Sequence, residues 1–180
     1  MKCLLLALSV ALVCGTQDVF VRQTGEDLDI QKMAGTWFSM AMAAGDRAPL
    51  EAADAQLRMH IRELRPTPED DLEITMHRRE DDMCVERKMT ARKTGNPTEF
   101  QMEDMQDIKV HVLDTDYENY AFLCLENTAN AKLSPACQYL ARTPTVDEMA
   151  VEQFKRALNV LSIHVQIIFA PRQMTERCYA

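Results

Sequence analysis

Few side chains in this chain of 180 residues could carry catalysis. The four histidines, His60, His77, His111 and His164, are dispersed and show none of the spacings that place ligands around a metal. The motifs G-x-S-x-G and H-E-x-x-H and the glycine-rich phosphate loop are absent from the sequence. The sequence therefore predicts no catalytic residue, no bound metal and no cofactor.

Disulfide formation is the chemistry that the cysteines favour. Cys3 and Cys14 fall in the N-terminal apolar segment, which leaves Cys84, Cys124, Cys137 and Cys178. An even number in an oxidising compartment predicts two disulfides, with three possible pairings. Consecutive antiparallel strands would bring Cys124 and Cys137 together, and Cys84–Cys178 then remains. A zinc site is the alternative, although no C-x₂-C pair is present. With all four cysteines paired, no thiolate is left as a nucleophile.

The first residues are typical of a secretory signal peptide. Lys2 precedes the apolar run Leu4–Val13, which is too short to span a bilayer, and small or polar residues follow it. Cleavage is predicted between residues 15 and 18, so that residues 1–18 form the signal peptide and residues 19–180 a single domain. The product is expected to be secreted and extracellular.

The charge balance restricts the partners. Lys and Arg total 20 and Asp and Glu total 28, which gives a net charge of −8 and a pI of about 5. An acidic chain is a poor partner for nucleic acid or an anionic membrane. No further apolar stretch is long enough for insertion into a membrane.

Alternating apolar and polar residues predict half-buried antiparallel strands in the middle of the chain. The period of two is clear over residues 57–62, 72–77 and 109–112, and turn-forming clusters such as Pro66–Asp71 separate the runs. Short strands at regular spacing are typical of a sandwich or a barrel.

The period then changes from two to between three and four. Thr145–Glu148 matches a capping box, and apolar residues recur with helical spacing over Ala150–Leu161. We expect a helix that packs on the outside of the sheet. A membrane-surface helix is the alternative, but the polar face has no strong positive bias. Val165–Phe169 is predicted to form a final strand.

Three short motifs in order indicate a family. A lone G-x-W is weak, and Trp37 could be an ordinary core residue; however, Gly35-Thr36-Trp37 is followed by Thr115-Asp116-Tyr117 and then by Arg142. Together they resemble the three signature regions of the lipocalins. The resemblance implies a mostly β fold: an eight-stranded up-and-down antiparallel barrel with one C-terminal α-helix packed outside and a final strand. It also implies a barrel floor in which Arg142 stacks on Trp37 beside Gly35.

Within that family the chain resembles the β-lactoglobulins, on Leu28–Lys32, Ser39–Ala43 and Val112–Tyr117 and on the placement of the four cysteines. Glycodelin is nearly as similar, on His77–Glu80 and Cys137–Arg142. This implies a secreted carrier of small hydrophobic ligands, such as a whey protein of milk. The alternatives are a glycodelin-like signalling protein of the reproductive tract and a nutritional protein whose ligand binding is incidental.

Two departures from these relatives bear on function. Tyr139 stands where ruminant β-lactoglobulins carry a free thiol. Glycodelin acts through N-linked glycans, but this chain has no acceptor motif, because Pro97 disrupts Asn96-Pro97-Thr98 and Asn127-Thr128-Ala129 lacks the final hydroxyl.

The resemblance also implies a cup that holds a retinoid or a long-chain fatty acid. Its inward-facing lining is predicted to be Leu57, Met59, Leu64, Leu72, Ile74, Met76, Met89, Met102, Val110, Leu123 and Leu125. Plain core is the alternative from alternation alone. The methionines bring flexible, polarizable side chains that suit ligands of varied shape.

Charged residues are expected at the mouth of this cup. Arg78 and Arg87 match the family's basic positions and could pair with a ligand carboxylate, or could be solvated surface residues. Asp107 matches the family's latch: a carboxyl group buried under a closed loop favours its neutral form, so ionisation opens the loop. A solvated turn aspartate is the alternative. A weak homodimer through Asp46–Glu51 and His164–Ile168 is also expected.

Overall fold

The computed structural model describes residues 28–45, 58–81, 83–130, 134–161 and 166–169. A 3₁₀ helix, Ile30–Met33, comes first. The strands that follow are β1 (Gly35–Thr36), β2 (Phe38–Ala44), β3 (His60–Pro66), β4 (Leu72–Glu80), β5 (Met83–Lys93), β6 (Glu99–Met102), β7 (Ile108–Thr115), β8 (Tyr120–Asn127) and β9 (Ala136–Ala141). The helix α1 (Glu148–Val160) and the strand β10 (Gln166–Phe169) complete the described elements.

One broken strand closes the sheet into a barrel. The spatial order is β1-β3-β4-β5-β6-β7-β8-β9-β2-β10, with antiparallel pairing throughout. β1 and β2 are separated only by Trp37, yet β1 pairs with β3 and β2 pairs with β9. Counted as one strand, they join the two ends of the sheet. The predicted eight-stranded up-and-down barrel with an outer helix and a final strand is therefore confirmed.

The barrel wall separates two apolar clusters. The inner cluster takes side chains from every barrel strand, and a cluster that links all strands of a closed sheet must lie inside it. The outer cluster lies between α1 and the strands β2, β7, β8 and β9, and includes Phe122, Tyr139 and Phe154. On β8 the inner members Ala121, Leu123 and Leu125 alternate with the outer members Phe122 and Cys124, as the period of a strand requires.

A bulge in β3 changes which residues face inward. The register with β4 shifts between Ile61 and Glu63. Because a bulge inserts one residue, the inner positions pass from Met59 and Ile61 to Leu64.

Buried polar side chains join β3 to β2 and β9 where the barrel closes. Gln138, on the inner face of β9, donates from Nε2 to the carbonyl of Met59 at 2.8 Å. Ser39 Oγ donates to Gln138 Oε1 at 3.1 Å and accepts from the amide of Ile61 at 2.9 Å. All of these groups are buried, so the bonds satisfy backbone that a regular ladder would otherwise have paired.

Aromatic packing fixes α1 on the barrel. The Phe154 ring lies 5.1 Å from Phe122 and 6.2 Å from Tyr139, measured between centroids. Tyr139 therefore fills the space under the helix with an aromatic ring. No helix within the described ranges is both long and apolar enough to cross a membrane.

The predicted capping box at the start of α1 is wrong. The N-cap is Asp147, whose carboxylate accepts from the amides of Met149 and Ala150. Thr145 therefore lies two residues before the N-cap, and Glu148 is the first helical residue and not the third, which a capping box requires. A short carboxylate next to the helix satisfies two terminal N–H groups by itself.

A disulfide joins Cys124 and Cys137, which are directly opposite each other on β8 and β9 with Cα atoms 4.0 Å apart. This is the predicted pairing. Cys84 is also disulfide-bonded, but Cys178 lies outside the described residues, so Cys84–Cys178 stays a prediction.

His60 is predicted to make the stability of the fold depend on pH. Burial, with Arg58 and His77 nearby, lowers its pKa from 6.5 to about 4. A depressed pKa means that the unfolded chain binds the proton more readily, so stability is full above about pH 6.5 and is lost as the pH falls towards 4. On acidification from pH 7 to about 4.5, the titration of His60 should lower the free energy of unfolding by about 2 kcal/mol.

Urea unfolding of the parent protein and of His60→Asn at both pH values measures this effect. The parent should lose about 2 kcal/mol more than the variant on acidification. An equal loss in the two proteins would show that His60 does not carry the dependence.

Candidate functional site

Arg142 and Trp37 close one end of the barrel. The guanidinium carbon lies 3.7 Å from the Trp37 ring centroid, and the indole is completely buried. The Arg142 nitrogens donate to three backbone carbonyls: Nε to Tyr117 at 3.1 Å, Nη1 to Thr36 at 3.1 Å and Nη2 to Lys32 at 3.0 Å. One side chain thus joins the 3₁₀ helix, β1 and the β7–β8 turn.

Gly35 is needed for this stacking. Its φ of +108° is a conformation that residues with a side chain rarely adopt, and an added Cβ would lie 3.2 Å from Arg142 Nη1. Trp37 Nε1 donates to the carbonyl of Met33 at 2.8 Å, which satisfies the buried indole. Of the predicted floor residues, Arg142 therefore stacks on Trp37 and lies against Gly35.

The second motif shapes the β7–β8 turn at the same end. Thr115 Oγ1 accepts from the amide of Tyr117 and donates to the carbonyl of Tyr120. Burial by itself would raise the pKa of Asp116, but hydrogen bonds from Tyr120 and Asn119 hold that pKa below its usual value. The Tyr117 hydroxyl accepts from the amide of Asp29 at 3.0 Å. Each motif residue therefore positions the chain around Arg142.

The predicted ligand-facing residues lie in the inner cluster. Nine of them are buried there: Met59, Leu64, Leu72, Ile74, Met76, Met102, Val110, Leu123 and Leu125. Met89 is partly buried and packs against the cluster, and Leu57 lies outside the described residues. The structure also places Met42, Ile61, Phe100 and Val112 in the cluster. The alternation of apolar and polar residues along β3, β6 and β7 could have predicted Ile61, Phe100 and Val112 as inward-facing residues.

Arg78 and Arg87 lie at the opposite, open end of the barrel, on neighbouring strands. On β4 the inner positions Leu72, Ile74 and Met76 continue to Arg78, and on β5 Arg87 is directly opposite Met76. Both guanidinium groups contact the Glu80 carboxylate: Arg78 Nε lies 3.3 Å from Oε1, and Arg87 bonds both oxygens.

Glu80 is a residue of this charged cluster that the sequence prediction did not include. The period of two places it on the same face as Arg78 and Met76, so the signal was present. The hydrogen bond from Arg87 lowers the pKa of Glu80, which favours the ionised form, and the same bond raises the pKa of Arg87.

Asp107 is not buried. Its carbonyl accepts from the amide of Thr128 at 2.7 Å and from the Thr128 hydroxyl at 3.1 Å. The amide of Ile108 closes the turn onto the carbonyl of Met105 at 2.8 Å, and the Asp107 side chain is exposed. In this conformation the turn fixes the backbone and leaves the Asp107 side chain in solvent, and the latch stays a prediction.

The histidines are less dispersed than the sequence suggested. His60 and His77 are direct cross-strand partners on β3 and β4, and His164 lies outside the described residues. Burial lowers the pKa of His111, although Glu126 and Glu99 beside it act in the opposite direction. In the part of the chain that the structure describes, no three His, Cys, Asp or Glu side chains are grouped as metal ligands would be.

A closed antiparallel barrel with a stacked Arg–Trp floor, an outer helix and an apolar interior defines a lipocalin. A family model described as lipocalin / cytosolic fatty-acid binding protein matches residues 34–175, and the chain belongs to this family. Binding of small hydrophobic ligands is the general function of lipocalins.

The curated relatives cover nearly the whole chain. Glycodelin of Homo sapiens is 45% identical over 178 residues, and beta-lactoglobulin-2 of Equus caballus is 46% identical over 179 residues, each with 99% of both chains covered. Beta-lactoglobulin-1 of Equus asinus is 48% identical over 158 residues, which cover 88% of this chain and 98% of the relative.

Substitution of Gly35 tests the geometry of the floor. Gly35→Ala should cost about 1–3 kcal/mol, since it strains a left-handed backbone and pushes on Arg142. Gly95→Ala is the matched control: nothing lies within 4 Å of its added Cβ, so the change should stay within about 0.5 kcal/mol. Urea unfolding followed by the fluorescence of Trp37, the only tryptophan, measures both. Equal effects of the two substitutions would contradict the role of Gly35.

Proposed function

We propose that the protein is a secreted carrier that binds one retinoid or long-chain fatty acid inside its barrel. The observation that supports this most is the composition of the inner cluster. Side chains from every barrel strand contribute, and Met42, Met59, Met76 and Met102 are among them. Flexible thioethers adapt to long, irregular apolar molecules, so the lining favours a broad set of ligands over one tightly selected molecule.

The open end supports the orientation of such a ligand. An apolar tail would lie along the inner cluster, and its head would reach Arg78 and Arg87. These side chains are 22% and 52% exposed, which suits a rim where a polar head meets water. A carboxylate accepts two parallel hydrogen bonds from a guanidinium, so arginine is well suited to hold a fatty-acid head.

Substitution in the inner cluster tests ligand binding. Delipidated parent protein should bind a fluorescent fatty acid saturably, and palmitate and retinol should displace it. Met102→Glu should abolish binding, because a carboxylate in an apolar interior costs several kcal/mol. Met149→Glu is the matched control, since Met149 is 75% exposed on α1 and far from the inner cluster. Thermal unfolding of each variant checks that the fold is retained.

Two results would contradict the proposal. One is the absence of saturable binding by stripped parent protein. The other is equal binding by Met102→Glu and the parent, which would place the probe outside the barrel.

Among physiological roles, we favour a milk-type carrier like the β-lactoglobulins. The glycodelin-like alternative rests on an identity of 45%, close to the 46% of the equine relative. In this chain Asn127 and Asn96 come nearest to a motif for N-linked glycosylation, and neither completes one. A nutritional protein with incidental binding is the third candidate. The secreting tissue separates the glycodelin-like role from the other two, and expression confined to the reproductive tract would overturn the milk assignment. Extraction and identification of the ligand from natively purified protein separates a carrier from a nutritional protein.

We infer a binding protein rather than an enzyme. Cys124, Cys137 and Cys84 are all disulfide-bonded, which withholds their thiolates from catalysis. Thiol titration of the denatured mature protein should find no free thiol, and one reactive thiol would reopen the enzymatic alternative.

We also propose, on the family resemblance, that the Met105–Ile108 turn gates the mouth. Such a gate requires a second arrangement in which the Asp107 carboxyl group is covered and neutral at low pH. Affinity for a neutral ligand such as retinol should then rise between about pH 5 and about pH 8, and Asp107→Asn should flatten that rise. A flat profile in the parent would show that no gate operates.

A weak homodimer is proposed on the same basis. β10 stands at the end of the strand order with β2 as its described neighbour, and the end of a sheet can add a strand from a second copy. The other predicted contact, Asp46–Glu51, lies outside the described residues. Sedimentation showing a monomer over a wide concentration range would refute the dimer.

A further inference from the structure

A triad of charged residues occupies the open end of the barrel on two neighbouring strands. Arg78 and Glu80 continue the inward face of β4 beyond Met76, and Arg87 lies on β5 opposite Met76. Two positive charges and one negative charge therefore stand where an apolar ligand of the inner cluster would leave its head. The triad is partly exposed, with Glu80 at 29%.

The carboxylate of Glu80 already takes the two hydrogen bonds that Arg87 could give to a ligand carboxylate. Arg87 donates from Nε to Oε1 at 3.1 Å and from Nη2 to Oε2, which is the bidentate arrangement that guanidinium groups form with carboxylates. Arg78 adds its own contact, with Nε 3.3 Å from Oε1. Glu80 thus imitates, from within the chain, the head of a bound fatty acid.

We propose that Glu80 is a specificity-determining residue that shifts the preference of the cup from carboxylate ligands towards neutral ones. This rests on the proposed binding function. A fatty acid must displace Glu80 from Arg87 or share the guanidinium with it at the cost of repulsion between two carboxylates. An alcohol or an ester has no such requirement, because it needs no counter-ion and can leave the triad intact.

The arrangement also limits the size of the effect. Arg87 is 52% exposed, so water and salt screen its pair with Glu80, and exposed pairs are weak. The Glu80 charge should therefore change carboxylate affinity by about fivefold rather than by orders of magnitude. The cup would still accept fatty acids, but at a disadvantage to neutral ligands with the same tail.

A pair of probes that differ only in the head tests this directly. A fluorescent polyene fatty acid and its methyl ester are titrated into delipidated mature protein at neutral pH. Glu80→Gln keeps the shape of the side chain and removes its charge. It should tighten binding of the acid by about fivefold and leave binding of the ester within about twofold.

Glu73→Gln is the matched control. Glu73 lies on the same strand, but at an outward, exposed position, where its oxygen is 4.0 Å from Arg65. The Glu73→Gln substitution makes the same change in net charge away from the mouth, so the ratio of acid to ester affinity should stay at the parent value. Added salt should narrow the difference between Glu80→Gln and the parent.

Three outcomes would overturn the inference. Weaker binding of the acid by Glu80→Gln would mean that Glu80 positions the arginines for the ligand. Equal changes for acid and ester would mean that the charge does not select the head. An effect of Glu73→Gln as large as that of Glu80→Gln would assign the result to net charge alone. If the parent protein bound neither the acid nor the ester saturably, the proposed function itself would be overturned.

Discussion

The barrel closes through its first strand, which is broken at Trp37. Before the break β1 pairs with β3, whereas after it β2 pairs with β9 on one edge and with β10 on the other. The chain turns at Trp37, whose amide donates to the carbonyl of Arg62 at 2.9 Å. Arg142 then covers the indole and holds the carbonyls of three segments that converge there. Gly35 leaves room for Arg142, and the carbonyls of Tyr117 and Met33 accept from Arg142 and Trp37. Further along β2, the hydrogen bonds of Ser39 and Gln138 join β2 and β9 to β3.

The two ends of the barrel use arginine in different ways. At the closed end, Arg142 gives its hydrogen bonds to backbone carbonyls and its face to an indole, so its capacity is used inside the fold. At the open end, Arg78 and Arg87 meet at one carboxylate near solvent. The proposed recognition of a ligand head therefore falls to the open end, where a ligand carboxylate could exchange with Glu80, whereas the backbone carbonyls around Arg142 are fixed parts of the fold.

Much of the fold could be predicted because strands and helices carry periodic signals. Alternation located β3, β4 and β7, the change of period located α1, and consecutive strands suggested the Cys124–Cys137 disulfide. Features that depend on contacts between strands could not be read in this way. The pairing of His60 with His77 depends on the register of β3 against β4, which a bulge sets. The N-cap at Asp147 depends on which of two neighbouring capping residues, Thr145 or Asp147, accepts the terminal N–H groups, and the exposure of Asp107 depends on the conformation of its turn. Glu80 was on a predictable face, but its significance appears only when β5 brings Arg87 beside it.

The contacts of Arg142 have a consequence for behaviour in acid. Backbone carbonyls and an indole ring do not take up protons under conditions in which proteins fold, and the guanidinium does not release one. Acidification therefore leaves these contacts of Arg142 unchanged. In the adjacent turn the pKa of Asp116 is held below its usual value, so this carboxylate takes up a proton only in stronger acid than an ordinary aspartate does. The contacts around Trp37 contain no group that is protonated in that range, so acid reaches the closed end of the barrel through the turn and not through the Arg142–Trp37 pair.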